Sequence, residues 1–179
     1  GDDQDDPLSN DNDPTPFPPT PGINLAKSVN LVEAAPTADR YYITYRHRIL
    51  NTGNTALQNL SLKDDISTAL CGGYIGTTSI TLFNVNAATL PAAAASTTVM
   101  NGLNDALGNN GLLLPGESFI VDIVVEADVT LTTCNQPYLN QSTAEGLPTD
   151  GLGTTLNDPA TGVPYVDDDV NDLSDSGTD

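Results

Sequence analysis

Residues 117–129, ESFIVDIVVEADV, carry Phe119, Val121, Ile123 and Val125 at every second position. Strand side chains alternate between two faces, whereas a helix brings residues three and four apart together, so this period specifies a half-buried strand. A shift of register is expected near Glu126. The same alternation recurs upstream. INLAKSVN (23–30) sets Ile23, Leu25, Lys27 and Val29 on one face of an edge strand. YYITYRHRIL (41–50) is rich in aromatic and β-branched residues, NTGNT (51–55) is turn chemistry, and ALQNLSLKDDI (56–66) follows with Leu57, Leu60 and Leu62. TTSITLFNV (77–85) and YLNQSTAEG (138–146) complete the set, and the PGES turn opens the strongest strand. No segment keeps a helical period over twelve residues. PAAAAS (91–96) has helix propensity, but it begins with proline and is too short to stand alone. Short strands separated by Gly, Pro and Asn predict an all-β fold, an antiparallel β-sandwich over residues 23–147.

The charge is placed very differently from the alternation. Of 24 acids in a chain of formal charge −19, six fall in residues 1–13 and eight in residues 150–179. All five basic residues (Lys27, Arg40, Arg46, Arg48, Lys63) lie between positions 27 and 63. Such a surface repels phosphate backbones, so nucleic acid and anionic membranes are poor partners and metal cations good ones. No apolar stretch reaches the roughly 18 residues of a membrane-spanning helix, so no membrane insertion is expected. Residues 1–22 read as an acidic linker followed by PTPFPPTPG, whose prolines favour an extended polyproline strut. Residues 148–179 read as a second acidic linker. With no signal peptide and a start in mid-loop, the chain reads as a piece of a longer polypeptide. Cys71 and Cys134 are too far apart for a zinc knuckle and have no histidine nearby. They are either a disulfide, the first reading, or two unrelated small buried side chains.

The stretch YRHRILNTGNTALQNLSLKDDI resembles the strand–turn–strand signature of DUF11-type repeats through Tyr45, Asn51-Thr52-Gly53-Asn54 and Asp64-Asp65. LLLPGESFIVDIVVEADV is similar to that family's penultimate strand, and NQSTAEG to its closing strand. The tail DDDVNDLSDSGTD is similar to its interdomain linker. His47 departs from the pattern, standing where an apolar residue is expected. The resemblance implies an immunoglobulin-like module of a long bacterial or archaeal surface protein, hence an extracellular location at the cell surface. Written tail before head, the two ends make one continuous linker, as expected of one period in a tandem or head-to-tail array of neighbouring copies.

Calcium takes six to eight oxygen ligands and favours carboxylates and carbonyls on irregular chain. Asp167, Asp169 and Asn171 have the spacing that opens an EF-hand loop, but Asp172 stands where its glycine belongs and no glutamate closes it. The candidate ligands form a denser cluster: Asp167, Asp168, Asp169, Asn171, Asp172, Asp175 and Asp179 at one end, Asp2, Asp3, Asp5, Asp6, Asp11 and Asp13 at the other. Two carboxylates about 4 Å apart repel by roughly 4 kcal/mol at an effective dielectric of about 20. A divalent cation reverses that sign and turns a swollen segment into a stiff joint. The competing reading is a solvated acidic spacer that binds nothing in particular.

Asp64-Asp65 either reach an ion at the end of the sandwich or merely terminate a strand, and the second is the plainer expectation. His47, the one histidine, is expected in ordinary strand packing. Without a base and nucleophile held together, the chain is not expected to be an enzyme. Asn59 and Asn140 each begin a glycosylation sequon. The combined expectation is a structural repeat of an extracellular fibre or filament, stiffened by Ca2+ at its junctions. The alternative is an adhesin domain binding a glycan or protein receptor.

Overall fold

The structure, a computed structural model, describes residues 19–108, 110–133, 140–150, 153–157 and 161–163, with backbone pairing alone for 167–172. Eight strands and one helical turn follow in the order β1 (Ile23–Ala34), β2 (Arg40–Asn51), β3 (Ala56–Asp64), α1 (Ile66–Ala69), β4 (Tyr74–Asn84), β5 (Leu112–Leu113), β6 (Ser118–Asp128), β7 (Gln141–Thr149) and β8 (Asp167–Asp172). They form two antiparallel four-stranded sheets, ordered β1-β2-β6-β4 and β5-β3-β7-β8. The core is shared: Leu25, Ile49, Phe119, Val121 and Ile123 come from the first sheet, Leu57, Leu60, Leu62 and Ala144 from the second. Two sheets with one apolar face each must bury those faces against one another, and the result is an all-β sandwich.

Strand β6 behaves as its period requires. Phe119, Val121, Ile123 and Val125 have no exposed surface, and Ala127 continues the buried phase. The expected shift near Glu126 is not in β6, which pairs without interruption against β2. It lies across from it: β4 is irregular between Tyr74 and Gly76, opposite Ala127 and Glu126, and again between Thr77 and Ser79. Strand β1 also differs from expectation. Ile23, Leu25 and Lys27 face inward, but Val29 is exposed and the register against β2 shifts between Val29 and Leu31. Beyond Lys27 none of residues 28–34 is buried, because that half of the hairpin runs past the core. PAAAAS forms no helix, and Ala93 makes an isolated bridge to Leu107 instead.

The NTGNT turn is pinned by its own side chains. Asn51 is fully buried; its Nδ2 donates to the carbonyls of Thr55 (2.7 Å) and Leu113 (2.9 Å), and its Oδ1 accepts from Gly53 N–H (3.0 Å). The segment before β1 crosses this turn closely. Thr52 and Gly53 N–H both donate to Gly22 O, while Asn54 exchanges hydrogen bonds with Thr20.

The described structure also changes the expected division at residue 148. Residues 167–172, expected within a linker, form β8 and pair antiparallel with β7 from Gln141↔Asp172 to Gly146↔Asp167. Backbone hydrogen bonding needs no apolar side chain, and the outer edge of β7 offers unpaired N–H and C=O groups to any extended segment.

Candidate functional site

Asp2, Asp3, Asp5, Asp6, Asp11, Asp13, Asp175 and Asp179 lie outside the described residues, as does Cys134. Asp167, Asp168, Asp169, Asn171 and Asp172 are placed as backbone in β8. Among the described side chains, no three acidic, histidine or cysteine groups come together to hold a metal. Thr133, next to Cys134 in sequence, donates through both its N–H and its Oγ1 to Cys71 O at 3.0 Å.

What the fold does bring together is a buried polar cluster between the sheets. Lys27 on β1 and His47 on β2 are direct cross-strand partners, both in the inward phase of the first sheet. Asp64, the last residue of β3, reaches them from the second sheet. Its Oδ1 accepts from Lys27 Nζ at 2.6 Å and its Oδ2 pairs with His47 Nε2 at 2.7 Å. All three side chains are fully enclosed. Tyr45, two residues before His47 on the same face, lies under the ammonium with its ring centroid 5.3 Å from Nζ, within cation–π range. Burial first, and then the negative charge of Asp64, push the Tyr45 phenol up to about 12.

A fourth group completes the cluster. Asn140, which leads into β7, is 1% exposed, and its backbone carbonyl lies 3.5 Å from Lys27 Nζ. Neither Nδ2 nor Oδ1 of its side chain has a hydrogen-bond partner. A glycan at this sequon is incompatible with that burial, whereas Asn59 is exposed and adopts a left-handed backbone, φ 52°.

One expectation is corrected here and another is sharpened. Asp64 does not merely end a strand; it is the anion of an inter-sheet salt bridge. His47 is packed in its strand, and its Nε2 also pairs with that anion. The signal was present in the sequence as Lys27, His47 and Asp64 at buried-phase positions of three strands. Three polar groups in apolar phase, with charges of both signs, require one another once buried.

Three of the four other basic residues have acidic partners nearer the surface. Arg46 makes a bidentate pair with Asp122 (2.8 and 2.6 Å), its registered partner on β6. Arg40 bonds Glu126 at 3.1 Å and lies 3.5 Å from Asp128, and Lys63 meets Glu145 at 3.3 Å. The Thr130 hydroxyl and N–H, assisted by Arg40, hold the Asp128 carboxyl below its ordinary range. Among the described residues no helix is long and apolar enough to cross a membrane.

No family model, curated protein or solved structure matches this chain.

Proposed function

We propose that this chain is a non-enzymatic, immunoglobulin-like structural repeat of the DUF11 type. In this reading it is part of an extracellular surface filament in which Ca2+ at the acidic junctions stiffens the joint between neighbouring copies. The observation that carries this reading is β8. Four aspartates and one asparagine in six residues are paired along the outer edge of β7, so the acidic segment is anchored to the sandwich it would couple. Alternate residues of a strand lie about 7 Å apart, where two unit charges repel by about 2 kcal/mol at an effective dielectric of about 20. A divalent ion removes that cost, and the Asp and Asn oxygens here are the ligands that calcium prefers. The expected disulfide between Cys71 and Cys134 would add a covalent clip close to the end of the sandwich.

The test is calcium titration by calorimetry on two linked copies, with small-angle scattering before and after EGTA. Saturable binding together with an extended, stiffer particle in calcium supports the reading. Heat no greater than that of dilution, with unchanged scattering, makes the acidic ends a spacer.

A further inference from the structure

We propose that Lys27 and Asn140 are joined by an intramolecular isopeptide bond, with Asp64 as the proton carrier. The inference rests on the buried cluster alone and stands independently of calcium. Asn140 presents an oddity that invites explanation: a buried carboxamide whose donors and acceptor have no partner, a costly arrangement for a group with so much hydrogen-bonding capacity. Beside it lies an equally enclosed amine, with Lys27 Nζ 3.5 Å from the carbonyl oxygen of the same asparagine. That contact places Asn140 itself beside the amine, and attack then requires only a side-chain rotamer that brings Cγ to Nζ. Asp64 Oδ1 is already on the amine at 2.6 Å, while His47 holds the other carboxylate oxygen.

The chemistry balances with no outside reagent. Asp64 takes a proton from the Lys27 ammonium, and the amine lone pair attacks Asn140 Cγ. As the tetrahedral centre collapses, Asp64 returns its proton to the leaving nitrogen. One C–N bond forms between Nζ and Cγ, the Cγ–Nδ2 bond breaks, and ammonia departs with the remaining amine proton. No oxidation state changes. Amide exchange of this kind is slow between free molecules. Held reactants gain the large effective concentration of an intramolecular reaction, and the enclosure keeps out water that would hydrolyse the carboxamide instead. The product ties β1 in one sheet to the start of β7 in the other, across a sequence separation of 113 residues.

Intact-mass measurement of the full chain, folded, purified and then denatured, tests this directly. The expected mass is lower than the sequence mass by one ammonia, beyond any disulfide. Proteolysis should yield a branched peptide containing both Lys27 and Asn140. Asp64→Asn, shown by circular dichroism to keep its β structure, should have its own full calculated mass. Should that variant fail to fold, Asn140→Ala, which buries no new charge, must show its full mass in its place. A folded wild-type chain at full mass overturns the proposal. So does ammonia loss that persists in either variant, or that maps as a succinimide to Asn101-Gly102 or Asn110-Gly111.

Discussion

At Lys27, His47 and Asp64 the sandwich interior departs from the rule that alternation buries apolar side chains. A lone buried charge would cost several kcal/mol, so each of these groups is tolerable only because the others are present. Tyr45 reports on the same site. Its phenol is ionised more readily in the unfolded chain, near 10, than in the fold, near 12. Between those values the native state holds one more proton than the unfolded state, so stability must fall as pH rises. Below pH 10 the contribution is complete, and by pH 12 about 2–3 kcal/mol should be lost. Lys27 Nζ lies over the ring, and Asp64 is the charge that acts on the phenol. Tyr45→Phe keeps the ring under Lys27 Nζ and removes the titrating proton. It should therefore flatten the loss of unfolding free energy in urea between pH 10 and 12, and an unchanged slope would assign that loss to other groups. Lys27 was legible as an inward residue from its alternation with Ile23 and Leu25. Its partnership with Asp64 was not, because the pairing is made across the two sheets and sequence period carries no information on which inward residues face one another. Asn140 was obscured by its sequon, a surface pattern borne by a buried residue.

The elements themselves were largely readable, and the turn after β2 shows why in physical detail. Asn51 satisfies three backbone groups, and Gly53 is required by contact rather than by flexibility. A Cβ on Gly53 would stand 2.4 Å from Gly22 N and 2.5 Å from Thr20 O, both backbone atoms that cannot swing aside. Gly53→Ala should therefore cost about 1–3 kcal/mol in urea unfolding, as overpacking does. Gly76→Ala is the matched control, because its Cβ would meet nothing within 4 Å. Equal losses in the two variants would show that contact with residues 20–22 is not what requires glycine at the turn. The same physics divides the readable elements from the rest. Strands β2, β3 and β6 carry one buried face, so their period is written in apolar residues. Strand β8 contains Val170 and no other apolar residue, leaving nothing for a period to act on, although its backbone pairs as well as any other. The single turn of α1 is too short to show a period. The irregularity expected in β6 falls on its neighbour β4, because a bulge belongs to the pair of strands and is not encoded by either alone.

Over the whole molecule, charge and structure are segregated. Residues 23–147 hold ten acids and all five basic residues, a net of −5, while the two ends carry −14. Within the sandwich four of the five bases are spent on internal acids: Lys27 on Asp64, Arg40 on Glu126, Arg46 on Asp122 and Lys63 on Glu145. No such pairing is open to the ends, which have no basic residue of their own. Charges farther apart than about 8 Å are screened at physiological ionic strength, so the repulsion there is local to each acidic run. A cation bound within a run would relieve it. Asp167→Asn with Asp169→Asn preserves the strand's backbone and shape while removing two charges from β8. In two linked copies the double substitution should abolish the calcium-dependent stiffening seen by scattering. The thermal midpoint of the sandwich should stay within a few degrees of the parent, since the described core is built from other elements. If the midpoint falls steeply while the scattering response to calcium persists, then β8 is part of the folding unit and the joint lies elsewhere. If both stay as they were, neither carboxylate holds the ion. Loss of the response with an intact core would assign mechanical coupling to the acidic edge and cohesion to the sandwich.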